Sequence, residues 1–65
     1  MKKSMLFKKS ELSRINKFIY SSEIDIELHQ LNNVRNGNEV FLKLTLTGNE
    51  NNIQIFFRDL TAFLN

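Results

Sequence analysis

Sixty-five residues with no cysteine and no proline make one domain near the lower limit for folding on a hydrophobic core. No disulfide compensates for the small core, a cysteine metal site is excluded, and the single histidine leaves any His-based site without a second imidazole. A hydrophobic content of 42% with six Phe argues against disorder, and the net charge of +2 hides an uneven distribution. Residues 1–20 carry Lys2, Lys3, Lys8, Lys9, Arg14 and Lys17 against Glu11 alone. The remainder carries Arg35, Lys43 and Arg58 against Glu23, Asp25, Glu27, Glu39, Glu50 and Asp59. Such a basic end suits nucleic acid, an acidic surface or a second subunit; the plainer reading is a solubilising tail.

Met1-Lys2-Lys3 has the charge of a secretory leader, but Met5-Leu6-Phe7 is too short for its apolar region. No window approaches the ~20 apolar residues of a membrane span. The expectation is a cytoplasmic protein without a membrane partner. Abundant Asn, Ile and Lys suit an AT-rich genome, including that of a phage or mobile element.

Along the chain, residues 1–9 form a basic segment with no clean period, read as loosely ordered. Met5, Leu6 and Phe7 there suit either a short strand or a cover over the core edge. Ser10 is placed to cap a helix and Glu11 to favour its dipole. Leu12, Ile15, Phe18 and Ile19 then fall on an arc of about 120°, opposite Ser13, Arg14 and Lys17. This predicts a half-buried helix over residues 10–20, ending near Ser21-Ser22. Glu23-Ile24-Asp25-Ile26-Glu27-Leu28 alternates strictly and predicts a strand. Leu28, Leu31 and Val34, spaced by three, offer a helical alternative that the acid–apolar alternation disfavours.

The central stretch is Asn38–Phe57, two alternating runs around a Gly/Asn-rich break. Val40, Leu42, Leu44 and Leu46 share one strand face; Ile53, Ile55 and Phe57 share another. Asn36-Gly37 is the strongest turn signal. Used as a two-residue loop, however, it places Ile26 opposite Thr47 and turns the two apolar sets to opposite faces. Pairing Ile24 with Leu46, Ile26 with Leu44 and Leu28 with Leu42 restores them, with a longer loop ending at Asn38 or a bulge near Gly37. A loop at residues 48–51 then pairs Leu46 with Ile53, Leu44 with Ile55 and Leu42 with Phe57. Asp59 is placed to cap a short final helix, Leu60 to Leu64. The expected fold is α+β, α-β-β-β-α: a three-stranded antiparallel meander with an N-terminal and a short C-terminal helix on one face, in a single domain 1–65.

Catalytic equipment is sparse. There is no cysteine nucleophile or glycine-rich phosphate loop, and His29, Glu27 and a serine form no recognisable motif, so no enzyme activity, cofactor or metal is expected. Glu23, Asp25 and Glu27 read as a solvated strand row. In the expected register the outer sheet face gathers Phe41, Lys43, Phe56 and Arg58, and aromatic and arginine side chains are favoured at interface centres. For Phe56 a place in the final helix, with Leu60, Phe63 and Leu64, is an equal reading. Ile53, Gln54 and Ile55 form an uncharged edge that predicts a homodimer or strand addition by a partner. The functional expectation is a non-enzymatic regulator or inhibitor binding another protein, such as a phage-encoded agent against a host enzyme or defence complex. The alternative is DNA or RNA binding through Lys2, Lys3, Lys8, Lys9, Arg14 and Lys17.

Overall fold

The computed structural model describes residues 1–65. Its elements are β1 (Lys2–Lys8), α1 (Leu12–Ser21), β2 (Ile26–Asn36), β3 (Glu39–Gly48) and α2 (Glu50–Leu64), with a 3₁₀ turn at Lys9–Glu11 leading into α1. The class is the expected α+β, a three-stranded antiparallel sheet with an N-terminal and a C-terminal helix. Its wiring differs. The chain runs β-α-β-β-α and the sheet order is β1-β3-β2, so β3 is central and the sheet is no meander. Because β3 is antiparallel to both neighbours, β1 and β2 run parallel, and β1-α1-β2 is a split crossover around β3.

The expected third strand is the main correction. Ile53 to Phe57 lies inside α2, where Ile53, Phe56, Phe57 and Leu60 are buried at helical spacing. Asn49 is why a helix starts there: its Oδ1 accepts from the amides of Asn51 (2.8 Å) and Asn52 (3.4 Å). Two otherwise unpaired first-turn donors are thereby satisfied, and Glu50 adds favourable charge in that turn. The Asn-rich break is a cap and not a hairpin loop. Asp59 is mid-helix, so the short final helix at 60–64 is the end of a long one.

The sheet position meant for that strand is taken by β1. Lys2–Lys8, expected as a loose segment, pairs along its whole length with β3, from Lys2 opposite Thr47 to Lys8 opposite Phe41. Ser10 does not cap α1; it lies within the 3₁₀ turn, and Glu11 precedes α1 without a side-chain cap bond. The helix ends where expected, at Ser21.

The β2–β3 hairpin resolves the parity conflict differently from the expectation. Asn36 pairs with Glu39, leaving Gly37 and Asn38 as a tight two-residue turn. Gly37 has φ +66°, the first-position glycine that such turns favour. From there Leu31 meets Leu44. Between Leu28 and Gln30 the register shifts, so one extra residue, His29, is bulged out. Beyond it Leu28 meets Leu46, not Leu42. The bulge keeps both Leu28 and Leu31 on the inner face, which strict alternation does not allow.

The core lies on that inner face. Ile15 of α1, Leu42, Leu44 and Leu46 of β3, and Ile53, Phe56, Phe57 and Leu60 of α2 are buried together. Aromatic rings run through it from sheet edge to helix: Phe7 to Phe57 at 6.5 Å, Phe57 to Phe56 at 6.3 Å, and Phe56 to Phe18 at 5.3 Å. The last two contacts are edge-on, a geometry the ring quadrupoles favour.

Candidate functional site

Both helices pack on one face, which leaves the other face of the sheet bare. The pairings define it row by row. Lys8, Phe41 and Val34 lie side by side; the next row is Leu6, Lys43 and Asn32; then come Ser4, Thr45 and Gln30; and last Lys2, Thr47 and Glu27. Within this grid Thr45 is only 4% exposed, and its hydroxyl is satisfied by Ser4 Oγ at 2.7 Å. The polar half is thus closed by its own hydrogen bond. The other half is not: Leu6 is 54% exposed, and Phe41 and Val34 are half-buried. Between Leu6, Val34 and Lys43 lies a shallow depression of about 340 Å³, also touched by Ser4 and Met5. Lys2, Lys8 and Lys43 stand on this face against Glu27 and Glu39.

The expected contact residues divide. Phe41 and Lys43 are on the bare face as anticipated from the alternation of β3. Phe56 is not: it is 1% exposed in the core, the helical reading of that residue. Arg58 is exposed on α2, with Nε 3.2 Å from Asp59 Oδ1, and belongs to the opposite side of the sheet. The expected self-association edge of Ile53, Gln54 and Ile55 has no strand to form it, since all three are helical. Ile53 is fully buried.

The six basic residues are likewise dispersed. Lys2 and Lys8 point to the bare face, whereas Lys3 shares the inner side of β1 with Met5. Lys9 is in the 3₁₀ turn and Lys17 on the exposed side of α1. Arg14 has a structural task. Its guanidinium donates to Glu11 Oε2 and to the Phe63 carbonyl, each at 2.9 Å, and lies 5.6 Å from the Phe63 ring centre. It therefore ties α1 to the last turn of α2, where a cation is electrostatically favoured. His29 is exposed at the bulge, and no three His, Asp or Glu side chains converge.

Leu6 and Val34 belong to this surface without a signal in the sequence pattern. Leu6 sits between Met5 and Phe7, and only the pairing with β3 shows that it faces away from them. For Val34 the bulge at His29 hides the parity.

Both outer edges of the sheet are open. Met1 and Gly48 exchange two bonds, amine to carbonyl and amide to carbonyl, each 2.9 Å. By antiparallel alternation, Lys3, Met5 and Phe7 then bond to β3, and Lys2, Ser4, Leu6 and Lys8 turn their backbone groups to solvent. Beneath that edge, between β1 and α2, runs a groove of about 430 Å³.

No helix is long and apolar enough to cross a membrane. Compared with family models, curated proteins and solved structures, the chain gives no match.

Proposed function

We propose that this chain is a small non-enzymatic regulator or inhibitor that acts by binding another protein through the bare face of its sheet. The observation that carries the reading is Phe41, half-buried beside exposed Leu6 and Lys43 on a face that neither helix covers. An aromatic and apolar centre is what interface cores favour, and charges around it fix orientation from the rim. Phe41 and Leu6 supply burial, while Lys43 and Lys8 supply orientation. The test is affinity capture from the native host with Phe41→Ser and Lys43→Glu variants. Both are expected to stay folded by circular dichroism and to lose the captured protein. Retention of every captured protein by both folded variants overturns the proposal.

The second reading, nucleic-acid binding, draws on Lys2, Lys8 and Lys43 on the same face as Phe41. A basic face bearing an aromatic ring is one way single strands are held. Gel shifts across a salt series separate the two, and no shift at low salt removes this one.

A further inference from the structure

The free edge of β1 combines three properties. Its register with β3 is unbroken from Lys2 to Lys8, so it offers a straight row of solvent-facing backbone groups at Lys2, Ser4, Leu6 and Lys8. Beside it, Lys3 and Met5 of β1 and a stripe of α2, Gln54, Phe57, Arg58 and Thr61, line the groove. Met5 is 40% exposed there, although it lies on the core side of the sheet. The five elements follow the β-α-β-β-α-β pattern up to its last strand, and the place of that strand is the edge of β1, under α2.

We infer that this edge is an acceptor for an extended segment of a partner protein, in which apolar residues alternate with Asp or Glu. The inference rests on the protein-binding reading above and names its mode and the chemistry of the partner. A strand added to β1 alternates its side chains between two environments. Those on the core side enter the groove over Met5 and Phe57, an apolar floor. Those on the bare side lie next to Lys2 and Lys8. Lys3 and Arg58 add positive charge at the groove itself, Arg58 with Asp59 beside it. A second copy of this chain is the wrong occupant for β1. Antiparallel pairing of two β1 edges gathers two sets of Lys2, Lys3 and Lys8, and like charges across a ladder are unfavourable. Lysines on an edge deter other basic edges and invite an acidic one.

The test uses the full chain labelled with ¹⁵N and a capped synthetic peptide of alternating Ile and Glu. Two comparison peptides are an Ile/Lys alternation and a permuted Ile/Glu peptide with its acids contiguous. The expected result is amide shifts and slowed exchange at Lys2, Ser4, Leu6 and Lys8 with the alternating acidic peptide alone, weakened about tenfold or more by high salt. Leu6→Pro removes an outward N–H without touching the β3 ladder and is expected to abolish binding. Should that variant not fold, the Lys2→Glu, Lys8→Glu double variant carries the test, with an expected loss of about tenfold or more. Equal binding of the Ile/Lys peptide overturns the inference. So does self-association through β1 at the same concentration, or displacement of the peptide from these lysines by a dT oligonucleotide. Peptide shifts confined to Phe41 and Lys43, lost in Phe41→Ser but kept in Leu6→Pro, overturn strand addition while leaving the protein-binding proposal intact.

Discussion

The two edges of the sheet are protected by different means. β2 is the longer strand, yet the bulge at His29 breaks its register, and a bulge bends and twists an edge away from flat pairing. β1 has no such irregularity; its protection is charge, from Lys2, Lys3 and Lys8. A geometric guard works against every incoming strand, whereas an electrostatic guard discriminates by sign. The sheet therefore has one open edge whose register is interrupted at His29 and one unbroken edge that discriminates partners by charge. The edges also differ in their support. β1 rests on α2 through the Phe7–Phe57 ring contact, and β2 rests on the sequence around the bulge that returns Ile26 and Leu28 to the core side.

The strongest way to break that contrast is to remove the support of β1. Phe57 is 6% exposed and touches both Phe7 and Phe56. Phe57→Ala is expected to cost about 3–5 kcal/mol, the range for deleting a buried ring, read as a lower urea midpoint. Hydrogen exchange should accelerate first at Lys3, Met5 and Phe7, whose amides bond to β3. If β2 amides loosen before those of β1, the two edges do not have separate supports. Deleting His29 attacks the other side and is expected to cost less. Without the extra residue Leu28 directly precedes Gln30, stays opposite Leu46, and the apolar side chains keep the inner face in unbroken alternation. The cost is therefore only about 1–2 kcal/mol, from the changed strand geometry, and what is lost is the interruption of the edge. The urea midpoint checks the first and light scattering the second: the deletion variant is expected to associate more than the native chain at equal concentration, and an unchanged mass would show that the bulge does not guard β2.

The bulge also marks where legibility of the sequence stopped. Alternation in Val40–Leu46 was enough to identify the central strand and to put Phe41 and Lys43 on the face away from the core. Parity arithmetic correctly detected a conflict between the Asn36-Gly37 signal and the inner face of the next strand. It located the remedy at the turn, while the remedy lies at His29. No residue type announces a bulge there, because any side chain that faces solvent is tolerated. The helix at Glu50–Leu64 is hidden for another reason. Ile53, Ile55 and Phe57 fit a period of two, and Ile53, Phe56, Phe57 and Leu60 fit a helical period equally well. Local apolar spacing does not choose between them. The choice is made by Asn49 as a cap and by β1 filling the sheet position that a third strand would need. The pairing of β1 is long-range, and its Lys-rich sequence concealed it.

The smallest expected effect is also the most even-handed between the edges. Asn49 stands where the chain leaves β3 for α2, at the end of the sheet where both edges are pinned. On the β1 side, Gly48 exchanges two bonds with Met1. On the β2 side, Asn52 Nδ2 donates to the Asp25 carbonyl at 3.3 Å. Asn49→Ala removes the acceptor for the Asn51 and Asn52 amides and is expected to cost about 1 kcal/mol, the usual penalty for losing an N-cap. Because the first turn of α2 joins both anchors, exchange should rise by similar factors at Lys3 and Gly48 on the β1 side and at the amides of Ile26–Leu28. Asn49→Asp, which keeps an acceptor and adds favourable charge at a helix N-terminus, should restore the midpoint. A loss confined to the β2 side would assign the cap to that edge alone and leave β1 held only by its ladder and by Phe57. The contrast between the edges would then extend to how they are anchored as well as how they are guarded.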